Sequence, residues 1–258
     1  MGLRQRLAEG KTCHVFSLSR ILHPVVVEIF GQSGLYDGFW LDQEHASCST
    51  EQMAVLAIAA RANGLEMFVR MAPTGYSVVT QALEAGACGV MAAQVRSAEE
   101  AQRFGQWARF APLGTRGLNG NGRDADYTFL PLPEFVERAN RQAWVGIQIE
   151  TLEALEQVDA IAALEAVDFL FVGPSDLSLA LGMVGQFNEP RFREAVGRIA
   201  AAALRHGKPW GCVAPNADFA QFARDQGCRL LTIGNEVLAL RHGAQRLYDT
   251  LCRQSLPT

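Results

Sequence analysis

Short apolar or β-branched runs alternate with longer stretches of helical periodicity along the whole chain, and this alternation restricts the fold more than any other feature. It argues for a parallel sheet wrapped by helices. Eight strands are predicted: Cys13 to Leu18, Gly38 to Asp42, Glu66 to Arg70, Gly89 to Ala92, Trp144 to Ile149, Asp168 to Val172, Trp210 to Val213 and Arg229 to Ile233. Helices are predicted over Pro24 to Phe30, Thr50 to Asn63, Ser77 to Ala85, Ala98 to Ala108, Leu152 to Leu164, Pro190 to His206, Ala217 to Asp225 and Glu236 to Leu251. Eight strands with eight helices favour a closed (β/α)8 TIM barrel over an open doubly wound sheet, and 258 residues is an ordinary length for one. A single domain is expected over residues 1–258.

A net charge of −4 provides no excess of basic residues to neutralise phosphates, so no nucleic-acid partner is expected and small molecules are. The opening residues are charged and amphipathic rather than arranged as a signal peptide. The apolar stretches are interrupted by charges such as Arg61 and fall short of the roughly 20 residues that span a bilayer, so no membrane partner is expected. The expected location is the cytoplasm. The six cysteines form no C-x-x-C pair, which disfavours a structural zinc and a disulfide framework. One segment, Ala111 to Tyr127, breaks the strand–helix rhythm with a glycine-rich stretch, and long irregular loops in compact domains tend to be functional or mobile.

In a barrel of this kind the chemistry comes from the C-terminal strand ends and the loops after them. The polar residues there are Asp42, Glu44, His45, Arg70, Gln94, Gln148, Glu150 and Asp176. Glu150 and Asp176 are the candidate metal ligands, because hard divalent cations take carboxylate oxygens and keep positions open for substrate or water. Each could instead serve a helix start. The chain has only two lysines, Lys11 and Lys208, and both precede strands, which places them at the N-terminal face and disfavours a Schiff-base mechanism. A metal is then the remaining route to an enolate.

His45 sits in the acidic cluster Leu41-Asp-Gln-Glu-His45, which can orient one ring nitrogen and raise the basicity of the other, making it the candidate general base. Cys48, three residues on, could suggest a Cys/His pair, but nothing in the sequence activates its thiol. Arg70 places a permanently charged fork at a strand end, where it would meet a carboxylate or a developing enolate oxygen, or pair internally with Asp42 or Glu44. The run from Phe171 through Gly173, Pro174 and Ser175 to Asp176 passes from strand to helix start, so its free backbone N–H groups can take a carboxylate.

Together these pieces resemble the HpcH/HpaI aldolase family of class II, metal-dependent pyruvate aldolases from about Leu7 to Leu247. The motifs that carry the likeness are Leu41-Asp-Gln-Glu-His45, Val69-Arg70, Ala82-Leu-Glu-Ala-Gly-Ala87, Ser97-Ala-Glu-Glu-Ala101, Gly114-Thr-Arg-Gly117, Gln148-Ile-Glu150 and Phe171-Val-Gly-Pro-Ser-Asp-Leu-Ser178. The resemblance implies a divalent cation, Mg2+ or Mn2+ first and Co2+ or Zn2+ after them, on Glu150 and Asp176. It implies that Gln148, Ser175 and Asp176 contact a 2-oxo acid, that His45 acts as base and that Arg70 steadies the enolate. Glu84 stands where the family has an aspartate that raises the basicity of the histidine. Ala93 stands where many members carry a proline, and the polar loop Asn119 to Asp124 replaces an alanine-rich one. A homo-oligomer, a trimer or a hexamer, is also implied. The expected reaction is reversible cleavage of a 4-hydroxy-2-oxo acid to pyruvate and an aldehyde. The rival readings are a citrate-lyase-like enzyme acting on an acyl-CoA ester and a barrel that binds a 2-oxo acid without chemistry.

Overall fold

The computed structural model describes residues 2–252; Met1 and residues 253–258, which the single-domain expectation also spans, lie outside the described residues. Eight parallel strands, β1 (Cys13–Leu18), β2 (Gly38–Asp42), β3 (Glu66–Met71), β4 (Gly89–Ala92), β5 (Trp144–Ile149), β6 (Phe169–Val172), β7 (Trp210–Val213) and β8 (Leu230–Asn235), pair in chain order and close on themselves. The helices are α1 (Leu3–Ala8), α2 (Pro24–Gln32), α3 (Thr50–Ala62), α4 (Tyr76–Glu84), α5 (Ala98–Trp107), α6 (Leu132–Gln142), α7 (Leu152–Glu156), α8 (Val158–Ala163), α9 (Pro174–Ala180), α10 (Pro190–Arg205), α11 (Ala217–Asp225) and α12 (Glu236–Cys252). None of them is long and apolar enough to cross a membrane.

The expected barrel is thus the observed one, with corrections at particular places. The single helix expected over Leu152 to Leu164 is two, because Gln157 takes a non-helical ψ of 13° and both ends and begins a helix. Three helices, α1, α6 and α9, were not in the expected set. Strand β8 runs from Leu230 on to Asn235, and β6 starts at Phe169, with the Asp168 carboxylate accepting from the Val145 N–H and from Arg109.

Strand alternation sends every second residue into the barrel. The inward residues of the lower layers are large and apolar: Val15, Trp40, Phe68, Met91, Trp144, Phe169 and Phe171 form one cluster, with Trp144 and Phe169 stacked at 3.9 Å. Gly146 faces the Phe169 ring, and any side chain there would occupy the ring's place. Helix α1 closes the N-terminal mouth by adding Leu3 and Leu7 to this cluster. The upper inward positions turn polar. Trp40 donates from Nε1 to Thr232 Oγ1 at 2.9 Å, and Asp42, Arg70 and Gln148 lie above it, all buried. With the lower end plugged by apolar side chains, the polar side chains buried inside the barrel lie towards its C-terminal end.

The glycine-rich segment that broke the rhythm follows α5, which runs away from the C-terminal face, so the segment folds beneath the barrel. Arg116 fixes it there by pairing with Asp124 while its guanidinium lies 4.7 Å above the Phe110 ring. That packing makes it an ordered floor rather than a flap over the upper site.

Candidate active site

Arg70, next to last in β3, points into the barrel, and its fork is already filled on one side. Nη2 donates to Asp42 Oδ2 at 2.7 Å, Nε to Asp42 Oδ1 at 3.3 Å, and Nη1 lies 3.1 Å from Glu44 Oε2. The guanidinium also lies 4.8 Å over the Trp40 ring. The internal ion pair foreseen for Arg70 therefore exists, with both acids. Two carboxylates hold the arginine in place and compensate its charge in a buried position.

Asp42 does more than pair with Arg70. Its Oδ1 accepts the backbone N–H of Glu44 at 3.1 Å and of His45 at 3.2 Å, a turn that lifts His45 out over the strand end. The His45 side chain is 58% exposed, and Nε2 lies 3.8 Å from Glu44 Oε2. Glu44 thus stands between the arginine and the imidazole.

Glu150 is 1% exposed. Its Oε1 accepts the Gln94 N–H at 2.8 Å and the Gln94 side-chain amide at 3.2 Å, and its Oε2 accepts from Gln148 Nε2. Burial pushes the carboxyl up to about 7 despite these donors, and the charges of Asp176 and Glu44 add to the rise. Glu150 caps no helix: Thr151 does so, accepting the Ala154 N–H at 3.1 Å and donating to the Val95 carbonyl at 2.8 Å. Gln94 reaches Glu150 by taking a left-handed φ of 54°, a costly conformation for a residue with a side chain. The sequence put Gln94 among the strand-end polar groups but gave no sign that it serves Glu150.

Gly173 lies directly over this carboxylate. A Cβ there would clash with Glu150 Oε2 and fall 2.5 Å from Gln148 Nε2. The chain then enters α9, whose first turn holds Ser175, exposed, and Asp176, half-buried. Pro174 contributes no N–H, so the free donors of this turn are those of Ser175 and Asp176. The Asp176 carboxylate accepts no hydrogen bond among the described residues. Gln148 Oε1 is buried with no hydrogen-bond partner.

Asp42, Glu44, His45, Arg70, Gln94, Gln148, Glu150 and the turn Gly173 to Asp176 therefore gather at the C-terminal ends of β2 to β6. Glu84 does not join them. It ends α4, which descends to the N-terminal face, and its carboxylate accepts from Asn119 Nδ2 at 3.0 Å. A six-residue strand such as β3 spans about 20 Å at roughly 3.3 Å per residue, which separates Glu84 from the His45 of its own chain. The expected tuning of His45 by Glu84 therefore does not occur within one barrel. Both lysines are also away from the site: Lys11 precedes β1 and Lys208 donates to the Leu164 carbonyl below β6. Among the described residues, no three His, Cys, Asp or Glu side chains group as a ready-made metal cage.

Residues 16–243 match the family model described as HpcH/HpaI aldolase/citrate lyase. The chain belongs to that family. It is 34% identical to a 4-hydroxy-4-methyl-2-oxoglutarate aldolase of Hapsidospora irregularis, covering 81% of this chain and 78% of that one. It is 32% identical to a 5-keto-4-deoxy-D-glucarate aldolase of Salmonella paratyphi A, covering 90% of each. Among solved structures, an HpcH/HpaI aldolase from Desulfitobacterium hafniense superposes with a TM-score of 0.91 at 31% identity, over 100% of this chain and 98% of that one. Membership makes this protein a carbon–carbon lyase acting on small molecules.

Proposed function

We propose that the protein reversibly cleaves a 4-hydroxy-2-oxo acid to pyruvate, or a close 2-oxo acid, and an aldehyde, with a divalent cation held by Glu150 and Asp176. The observation that carries this reading is the Glu150 carboxylate: buried, beside a second carboxylate, and roofed by a glycine that leaves no room for a side chain. Two acids without a counter-charge of their own suit a hard cation, and the unpartnered Gln148 Oε1 adds an acceptor in the same place. Two protein carboxylates are few for zinc but usual for Mg2+ or Mn2+, which fill the rest of their shell with water and substrate oxygens. Such a cation, when bound, polarises the substrate carbonyl and favours the enolate.

The chain's own residues would do the remainder. The Ser175 and Asp176 N–H groups and the remaining N–H of the Gln148 amide would donate to the substrate carboxylate. Arg70, fixed by Asp42 and Glu44, would present its spare N–H donors to the oxygen that becomes negative. His45, exposed to the mouth, would remove the proton of the C4 hydroxyl in cleavage and return it in synthesis, with Glu44 Oε2 3.8 Å from its Nε2. The exposed apolar side chains of α12, including Leu240, Leu247 and Leu251, support assembly as a homo-oligomer.

Proton exchange of the pyruvate methyl group in D2O, followed by NMR, tests the enolate step. Exchange should be fast with Mg2+ or Mn2+, fall to the background rate with EDTA, and stay there in Glu150→Gln. Equal rates with and without chelator would refute the metal-dependent enolate.

A further inference from the structure

A cavity of about 890 Å³ lies at the N-terminal face, at the opposite end of the barrel from Glu150. It sits beneath the starts of β3 to β5 and is walled by α1, the end of α3 and the segment around Asp124. Arg4, Arg61, Arg116, Arg123, Arg138 and Arg141 line it, against three carboxylates, Glu66, Asp124 and Asp126.

Those carboxylates are committed. Glu66 Oε2 accepts the Leu3 N–H at 2.5 Å, Asp124 pairs with Arg116, and the single carboxylate of Asp126 is shared by Arg123 and Arg138. Arg61 has no acidic partner among the described residues. It faces Arg123 across Gly86, where an added Cβ would lie 3.1 Å from Arg61 Nη1 and 3.2 Å from Arg123 Cγ. Burial first, and the Arg123 charge after it, lower the pKa of Arg61, with Tyr127 acting against them. Arg116, 6% exposed, keeps its Nε buried without a hydrogen-bond partner. Arg61 also lies in the last turn of α3, where a cation suits the helix dipole. That accounts for a single arginine, but not for a second one drawn against it beside a cavity of this size.

We propose that this cavity binds a compact polyanion, of phosphate or polycarboxylate chemistry, through Arg61, Arg123 and Arg138, at a site separate from the reaction site. Arg4 and Arg141 reach Asp168 and Glu137 outside the cavity, so a bound polyanion supplies the counter-charge that Arg61 lacks and that Arg123 and Arg138 share on one carboxylate. The cavity holds such a molecule with room for water. The inference does not depend on the reaction proposed above.

Calorimetric titration of the full-length protein in EDTA at low ionic strength, with pyrophosphate and separately with citrate, tests it. Saturable binding of one probe per chain is expected, weakened tenfold or more in Arg61→Gln and unchanged in Arg70→Lys. Arg61 holds no acidic partner among the described residues, so its variant should melt close to the wild-type temperature. Tighter binding of pyrophosphate would identify phosphate chemistry, and tighter binding of citrate polycarboxylate chemistry. Absence of saturable binding by either probe overturns the proposal, as does an Arg61→Gln affinity within twofold of wild type.

Discussion

Replacing Glu150 with glutamine should change how stability depends on pH, and the sign follows from burial. In the folded protein the carboxyl is raised to about 7, from an ordinary value near 4.5. The folded state therefore holds this proton over a range where the unfolded chain has released it. Below pH 4.5 the group costs nothing; between 4.5 and 7 the cost of ionising it in the fold grows; above 7 it is full. The interval corresponds to about 3 kcal/mol at 1.36 kcal/mol per pH unit. Glutamine keeps the shape and an oxygen for Gln94 but carries no charge. In EDTA, urea denaturation should show wild type losing about 3 kcal/mol relative to Glu150→Gln between pH 4.5 and pH 8.5. A cation on the ionised carboxylate should reverse this: Mn2+ at pH 8.5 should stabilise wild type and leave Glu150→Gln unmoved. At pH 6 the same binding should release protons to the buffer. Parallel pH profiles for the two proteins would refute the burial argument, and equal stabilisation of both by Mn2+ would refute the assignment of Glu150 as a ligand.

Gly173→Ala should cost about 1–3 kcal/mol of stability from overpacking and lower Mn2+ affinity at least tenfold, because the new methyl displaces Glu150 and Gln148; denaturation and calorimetry read the two effects. Arg70→Ala leaves Asp42 and Glu44 uncompensated and should cost about 3–5 kcal/mol. Arg70→Lys keeps the charge but loses the fork, and should lower kcat by about 10²–10³-fold with a smaller loss of stability. Leu247→Glu with Leu251→Glu on α12 should reduce the mass seen by light scattering without changing the circular dichroism spectrum, since neither side chain packs on its own barrel.

The barrel itself was legible because its rule is local: a run of Val, Ile and Phe long enough for a strand, followed by a helical stretch, repeated eight times. Glu150, Asp176, Arg70 and His45 could be singled out for the same reason, since a polar residue just past an apolar run lands at one end of the barrel. Of the three helices that were missed, α1 and α6 belong to no strand–helix repeat, and α1 packs Leu3 and Leu7 into the barrel mouth.

What the chain alone could not fix is who meets whom across strands. Gln94 and Glu150 are 56 residues apart, and the backbone of Gln94 takes a strained φ for the sake of that contact. Gly173 reads as an ordinary helix-start glycine until the Glu150 carboxylate is placed beneath it. Glu84 stands at the sequence position where the resemblance implies an aspartate, yet α4 carries it to the far face. Sequence determines period, and period determines the strands, their order and the end at which each side chain emerges. The distances, the desolvation that lifts Glu150 and the crowding of Arg61 against Arg123 arise only when eight strands close into a ring and bring residues far apart in the chain within a few ångströms.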